Sequence, residues 1–439
     1  MRIIFWSSLF KNTFLLVFLM IAHSASSQTL GEYLDWVKND NMLLQLDKNQ
    51  IQTSQQEVLL TKAALRPSIG MEVNYQRDFT KSFLFINDEE TAALFGDRFR
   101  TNFNNNLTLD LIASHSLYDP TAKATHQLAQ LAEELSKRSH KELSNTLVHQ
   151  ASQLFWQAIF SRESLKVLDA NQQLAKDQWQ QMRDLFDEGY ASELQVRQSE
   201  SFYKRTISQV ESARNSHQIL LNELKTLASL PLDYPLDLKG AITIADSTLT
   251  RYFITDTNLT NNPQLKVLHQ QLAIAEQQIK VAKAARRPII KARLGYNLNA
   301  QDDGFSFANN IHLLYGQIGI QIPIYTGGAT KAMIQKNSIN KTFVKIQIEQ
   351  QRLNLKKELS NATFNFQNAL HKIKAEKEGI QLSKREWDIA KEGIKQGLVT
   401  PLELKEIRLE WTAGQLRLLN AYLDLRIARL QMESLLGTQ

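Results

Sequence analysis

The chain has 439 residues, no cysteine and a formal net charge of +6. Without cysteine no disulfide can form, and the basic residues are scattered rather than clustered on one face, which argues against nucleic-acid binding. No segment after residue 27 has the roughly 18 consecutive apolar residues that indicate a transmembrane helix.

The first 27 residues have the pattern of a secretory signal peptide. Arg2 and Lys11 provide positive charge, 14–22 is a short apolar run, and Ala25 and Ser27 are the small residues expected before a cleavage site. The run is too short to cross a hydrocarbon core of roughly 30 Å, which argues against a membrane anchor. We therefore expect export with cleavage after Ser27. Loss of Arg2 and Lys11 lowers the formal charge from +6 to +4.

Residues 28–229 are predicted to form a first structural repeat. After an opening helical pattern that ends at Arg66-Pro67, apolar and polar residues alternate over about 68–79 and 103–117, which predicts two strands joined by a polar and aromatic loop. The segment of about 121–229 predicts a long helical hairpin with its tip at 189–192. At 1.5 Å per residue, its first helix would be roughly 100 Å long, which exceeds a globular core.

Residues 263–439 are predicted to repeat this unit after an intervening linker, 230–262. Its strands are expected at about 289–300 and 311–324, and its hairpin at about 329–436 with the tip at 397–400. The two tip sequences, GYASELQV (189–196) and GLVTPLEL (397–404), lie 208 residues apart. The junctions Arg66-Pro67 and Arg287-Pro288 lie 221 residues apart, so the chain is one unit written twice.

Four strands in an outer membrane would leave sheet edges that lipid cannot satisfy, so the strands require closure. Three copies would supply twelve strands, enough for a barrel with an open lumen. The last helix carries two adjacent apolar seams, with Leu404, Ile407 and Trp411 on one and Leu402 and Leu409 on the other. Two seams indicate neighbours on two sides, which an isolated two-stranded coiled coil would not need.

The duplicated Arg-Pro junctions, the strand exits at Tyr118 and Tyr325, Asn262-Pro263 and the two tips resemble TolC-like outer-membrane efflux proteins over nearly all of the mature chain. The resemblance implies a mainly α fold with a membrane β-barrel: a homotrimer with a 12-stranded β-barrel on a long periplasmic α-helical barrel. It further implies an equatorial region that includes the linker. The expected location is the outer membrane, with a periplasmic extension.

The function implied is an exit duct for efflux or type I secretion. Such a duct works with a periplasmic adaptor, also called a membrane fusion protein, and with an inner-membrane pump of the RND or ABC class. The cargo is not specified by the sequence, because the pump selects it. A structural coiled-coil stalk and a periplasmic adaptor are the alternatives. A stalk gives no reason for duplicated strands, and an adaptor has one hairpin flanked by domains rich in Gly and Val.

Motifs of catalysis are not found: the sequence has no P-loop, no GxSxG and no HExxH, and its nine His residues are dispersed. We therefore expect no enzyme activity, no cofactor and no metal site. Glu403 and Glu406 follow the second tip at i and i+3, on one helix face. The resemblance implies that carboxylates here line the periplasmic entrance, where a ring of them would favour cations. A solvated helix face is the alternative, since Lys405 and Arg408 stand beside them.

The positions that hold the entrance of the best-known relatives shut by polar links correspond here to Ile394, Val399 and Gln195. These side chains cannot form ionic links, so we expect a gate that is closed by packing or that rests more open.

The tips are predicted to contact the adaptor. The alternative is that these residues only turn the chain, since Gly permits a tight reversal, Ser192 can cap the next helix, and Pro401 fits a first helical position after Thr400. The predicted contact residues are Gly189, Tyr190, Ala191, Ser192 and Leu194 at the first tip, and Gly397, Leu398, Val399, Thr400 and Leu402 at the second.

Overall fold

The computed structural model describes residues 28–86, 88, 96, 98–243, 259–306, 309–396 and 398–438. The predicted signal peptide 1–27, part of the linker 230–262 and the tip residue Gly397 lie outside the described residues. No helix within these ranges is long and apolar enough to cross a membrane.

The described chain is mainly helical, as the sequence predicted. The helices are α1 (Leu30–Asp40), α2 (Met42–Ala63), α3 (Pro120–Asp187), α4 (Glu193–Leu227), α5 (Pro263–Ala284), α6 (Ala329–Lys395) and α7 (Pro401–Leu436). The strands are β1 (Ser68–Arg77), β2 (Phe83–Phe85), β3 (Arg98–Arg100), β4 (Asn105–Tyr118), β5 (Ile289–Asp302) and β6 (Asn309–Gln321).

The structure differs from the sequence prediction at two places, a short hairpin predicted as loop and the end of one strand. Within the stretch 80–102, predicted as a loop, β2 and β3 pair as a short antiparallel hairpin in which Leu84 is opposite Phe99. The strand predicted to run to 324 ends at Gln321, two residues before Pro323. Proline has no N–H to donate to a ladder, so it ends the pairing there.

Both helix-to-strand junctions are built in the same way. Arg66 donates its backbone N–H to Ala63 at 2.9 Å, and Arg287 donates to Ala284 at 2.9 Å. In each case the helix tightens into a three-residue turn just before proline, because the residue preceding a proline is disfavoured in the α conformation.

The described residues group into two compact units. The hairpin unit takes those of Met1–Asn49, Arg138–Val267 and Ile348–Gln439, and the sheet unit takes those of Gln50–Lys137 and Leu268–Gln347. Each compact unit combines segments of both predicted repeats, so the division into units does not test the repeats 28–229 and 263–439. The repeats stay a prediction.

The core of the hairpin unit is apolar and aromatic. Phe155 and Ile159 of α3, Tyr33 and Val37 of α1 and Leu224 of α4 are all fully buried. The Tyr33 hydroxyl donates to the Leu224 carbonyl at 3.0 Å, so the polar tip of this buried ring is satisfied. This core joins the start of the chain to the returning helix of the first hairpin.

A buried asparagine ties the end of each hairpin to the start of another helix, α2 for the first hairpin and α5 for the second. The Asn41 side-chain amide donates to the Leu227 carbonyl at 2.7 Å, and its oxygen accepts from the Leu43 N–H at 2.9 Å. Asn262, 221 residues later, donates to the Leu435 carbonyl at 2.9 Å and accepts from the Leu265 N–H at 3.2 Å. Each asparagine thus serves a helix N-terminus and a helix C-terminus at once.

The sheet unit contains a four-stranded antiparallel sheet in the order β1-β4-β5-β6. The strands have 10, 14, 14 and 13 residues. A tilted strand needs about 9–11 residues to span a bilayer, so each is long enough to do so. In this order β1 and β6 are the outer strands of the sheet.

One face of this sheet is apolar. The register aligns Met71 of β1 with Leu111 of β4, Tyr296 of β5 and Leu314 of β6 across all four strands. The side chains of Met71 and Leu314 are 68% and 71% exposed. A monomeric soluble protein would rarely leave such a continuous apolar surface uncovered.

The opposite face is polar over much of its area. Glu72 aligns with Asp110, and Asp110 with Asn297. The Asn297 amide donates to the Asp110 carboxylate at 2.7 Å. Because successive side chains along a strand point to opposite faces, alternate residues of the same strands form the polar face and the apolar face.

Replacing Asn262 by alanine should lower the free energy of unfolding by about 1–3 kcal/mol, because the Leu435 carbonyl and the Leu265 amide would both lose a partner in a buried place. Denaturant unfolding followed by circular dichroism measures this. Asn261→Ala is the matched control, because the Asn261 side chain is exposed and accepts from the Lys266 side chain at 3.2 Å. Equal losses for the two variants would contradict the role given to Asn262.

Candidate entrance site at the hairpin tips

The two tips reverse the chain with the same hydrogen bond. After α3, the Tyr190 N–H donates to the Leu185 carbonyl at 2.7 Å, and after α6 the Leu398 N–H donates to the Gly393 carbonyl at 2.9 Å. Gly189 at the first tip has φ +82°, in the left-handed region that favours glycine. The donors lie 208 residues apart and so do the acceptors, so the repeat extends to the tip geometry.

Each returning helix begins with a capping box. Ser192 caps α4 together with Gln195, and Thr400 caps α7 together with Glu403, with Pro401 at the first turn. The Gln195 amide oxygen accepts from the Ser192 N–H at 2.8 Å, and the Glu403 carboxylate accepts from the Thr400 N–H at 2.8 Å. The predicted caps Ser192 and Thr400-Pro401 are therefore confirmed.

The two carboxylates predicted for the entrance are both exposed, on one side of α7. Glu403 is held in place by its capping box, since its Oε2 also accepts from the Thr400 hydroxyl at 2.8 Å. Hydrogen bonds from the backbone N–H and then the side chain of Thr400 lower the pKa of Glu403 below its ordinary value. Glu403 therefore has a local structural role besides any role in an entrance.

The predicted contact residues differ in exposure. Tyr190 and Leu398 are 81% and 76% exposed, and Leu194 and Leu402 are also exposed. Gly189, Ser192 and Thr400 are exposed as well, whereas Ala191 and Val399 are half-buried. Each tip thus presents large apolar side chains to solvent.

A small apolar cluster packs next to the second tip. Trp387, Ala390 and Leu404 are buried together, and Ile394 and Val399 pack against them. Ile394 and Val399 are two of the positions where ionic links were ruled out by side-chain type. The third, Gln195, is engaged in the first capping box.

An aromatic stack braces each hairpin about three turns from its tip. Trp179 stacks on Tyr203 with ring centres 5.6 Å apart, and Trp387 stacks on Trp411 at 6.1 Å. The 208-residue spacing of the tips relates Trp179 to Trp387 and Tyr203 to Trp411, so the sequence carries the signal for both stacks.

A buried arginine behind the tips was not singled out as a site from the sequence. Arg408 of α7 is 1% exposed, and its guanidinium carbon lies 4.4 Å from the ring centre of Phe202 on α4. Arg408 lies one turn beyond Leu404 in α7, two residues after Glu406. In the sequence it looked like a solvated neighbour of the carboxylates, and only the packing against Phe202 shows that it faces inward.

Within the described residues, no group of three or more His, Asp or Glu side chains is arranged to hold a metal ion. The tips therefore offer carboxylates, exposed apolar side chains and a buried cation as their chemistry.

Comparison with known proteins agrees with the family resemblance noted in the sequence. The family described as outer membrane efflux protein matches residues 255–438, which is most of the second repeat. The sequence resemblance to TolC-like outer-membrane efflux proteins is confirmed, and the chain's location is the outer membrane.

Relatives and a solved structure extend the match to nearly the whole chain. The proteases secretion protein PrtF of Dickeya chrysanthemi is 20% identical over 433 residues, covering 95% of this chain and 91% of PrtF. The outer membrane efflux protein BepC of Brucella suis biovar 1 (strain 1330) is 21% identical over 412 residues, covering 93% and 85%. The outer membrane protein VceC of Vibrio cholerae has the same fold, with a TM-score of 0.76, 14% identity and coverage of 93% and 96%. The relatives' names describe secretion and efflux rather than catalysis.

The two capping boxes predict a difference in pH dependence between the two tips of this chain. A lowered folded-state pKa means that Glu403 contributes stability fully above its unfolded value of roughly 4.3, and that this is lost as the pH falls through the lower folded value. Hydrogen–deuterium exchange should therefore show faster opening of the start of α7 in acid, relative to Glu403→Gln at the same pH. The start of α4 is the internal control, because Gln195 does not titrate. Equal acid response at both helix starts would contradict the prediction.

Proposed function

We propose that three copies of this chain form an outer-membrane exit duct. Their twelve long strands close into a β-barrel, and their helical hairpins form a periplasmic helical barrel. The duct receives its substrates from a periplasmic adaptor and an inner-membrane pump of the RND or ABC class, in efflux or type I secretion. Its cargo is set by the pump.

The observation that carries this proposal is the two-faced sheet. An apolar face of aligned residues such as Met71, Leu111 and Leu314 suits contact with lipid, and a face with Glu72 and Asp110 suits a water-filled lumen. In the trimer, β1 of one copy pairs with β6 of the next, which satisfies backbone groups that lipid cannot. A structural stalk would have no need for such a sheet.

Aromatic side chains at the two ends of the sheet agree with this orientation. Phe79 and Phe305, beyond one end of the strands, are 90% and 68% exposed. Tyr118 and Tyr325, at the other end, are 46% and 87% exposed. Membrane barrels carry aromatic girdles at both interfaces, which these positions would provide.

A charge on the lipid-facing side should disrupt assembly, and the same charge on the lumen side should not. Leu109 lies in a row with Val73 and Leu298, whereas its neighbour Thr108 lies in a row with Asn74 and Asn299. An arginine facing lipid at mid-membrane costs about 2–4 kcal/mol per chain. Leu109→Arg should therefore reduce heat-resistant trimer recovered from outer membranes, and Thr108→Arg should leave it near the wild-type amount. The opposite ranking, or equal loss in both, would contradict the proposed facing.

The proposed entrance combines Glu403 and Glu406 from each of three copies. Their exposure on α7 just behind the tip supports a ring of carboxylates that favours cations. The neutralising double variant Glu403→Ala with Glu406→Ala should lower cation selectivity and divalent-cation block in planar-bilayer conductance. Glu211→Ala with Glu349→Ala removes the same charge from exposed positions outside the tips and is the control. Unchanged selectivity in the tip variant would contradict a role of Glu403 and Glu406 in the entrance.

The proposed adaptor contact rests on the exposed apolar side chains of the tips. Leu398→Asp should reduce recovery of the adaptor with a tagged trimer, since a buried interface would have to accept a charge. Leu382→Asp, at a 59% exposed position of the same hairpin, should not. Full recovery of the adaptor with Leu398→Asp would count against a tip contact.

A further inference from the structure

A positively charged cavity lies behind the tips, between helices of the two hairpins. Its volume is about 320 Å³, near the lower end of ligand-binding cavities. Its wall is formed by residues of α3, α4 and α7, with glutamine and serine side chains among them. Four of the lining residues are basic, namely Arg197, Arg205, Lys405 and Arg408, and none is acidic.

Three of the cations surround one aromatic ring. The ring centre of Phe202 lies 4.4 Å from the Arg408 guanidinium, 5.7 Å from the Lys405 ammonium and 5.9 Å from the Arg205 guanidinium. Cation–π contact attracts each of them, yet it does not neutralise charge. The remaining basic residue, Arg197, lies near Glu193 and Glu200, which balance it.

Of the four basic residues, Arg408 is the one that most needs an anionic partner. In the described chain none of its three guanidinium nitrogens has a hydrogen-bond partner, and the side chain is 1% exposed. Burial lowers the pKa of Arg408 to about 10, so it stays charged at neutral pH. A buried charge without a partner is costly, and such unpaired groups need an explanation.

The position equivalent to Arg408 in the first hairpin also carries a charge, but that charge is paired. Glu200 lies 208 residues before Arg408. It is bound by Lys204 at 3.0 Å and by Arg197 at 3.6 Å. The second repeat has the opposite charge at this position, and its own helix does not supply a counterpart.

We propose that this cavity binds a small oxyanion, a carboxylate or a phosphate, with Arg408, Lys405 and Arg205 as the charged groups that hold it. The planar guanidinium matches the geometry of an oxyanion, and the amides and hydroxyls of the wall add neutral donors. Since the wall combines α3 and α4 with α7, a bound anion joins the first hairpin to the second directly behind the tips. Anion occupancy would thereby stabilise the tip region.

Isothermal titration calorimetry of the full chain in detergent tests this site, with inorganic phosphate as the probe and chloride of equal ionic strength as the reference. We expect saturable phosphate binding, weakened about tenfold or more in Arg408→Gln, since a hydrogen bond to a charged group is lost. Lys405→Gln should weaken it several-fold and guards against a folding defect in the Arg408 variant. Arg352→Gln is the control, because Arg352 is partly exposed and pairs with Glu349 within its own helix.

Equal binding by wild type and all three variants would overturn the proposal, because phosphate would then bind outside this cavity. Absence of binding would overturn it as well.

Discussion

The fold depends on the need to cover the four-stranded sheet. In the part of the chain that the structure describes, β1 and β6 are its outer strands, and a row such as Met71, Leu111, Tyr296 and Leu314 presents apolar side chains on one face. A soluble protein would cover that face with its own core and leave the row of Glu72 and Asp110 in water, yet the side chains of Met71 and Leu314 are 68% and 71% exposed. Lipid on one side, water on the other and a second copy at each edge satisfy all three requirements together, and on this basis we propose a closed trimer.

The duplication of the sequence has a physical counterpart in repeated contacts. Asn41 and Asn262 tie the returning helices of the two hairpins to the starts of α2 and α5 with the same donor and acceptor atoms. The Arg-Pro junctions, the tip hydrogen bonds and the aromatic stacks also recur. The repeats therefore share the contacts that set where helices begin and end, while the surfaces between those points are free to differ.

Periodicity alone was enough to predict the long helices and the strands of this chain, because α3 and α6 are long and β1 and β4 alternate clearly. It missed the β2–β3 hairpin, since three-residue strands are too short to show a period. It also overran the end of β6, where Pro323 set the limit. The caps Ser192 and Thr400 were predictable because capping is a local interaction between residues three apart.

The candidate site was harder to predict from the sequence, because its properties come from packing between segments that are distant in the chain. Glu403 looked like a free carboxylate, yet its pKa is lowered by Thr400 within a capping box. Arg408 looked like a solvated neighbour, yet it is buried against Phe202, about 200 residues away in the chain. No periodicity identifies such a pair. The 208-residue spacing comes nearest, since it shows that Glu200 and Arg408 occupy equivalent positions with opposite charge.

Pairing of β1 of one copy with β6 of another is the central claim, and inter-chain disulfide formation tests it directly. The chain has no cysteine of its own, so a pair introduced at Val73 of β1 and at successive positions of β6, from Leu313 to Ile318, reports only this contact. At one register, oxidation of the protein in outer membranes should give covalent dimers and trimers that return to single chains on reduction. Single chains at every register, in protein that has reached the outer membrane, would contradict the account.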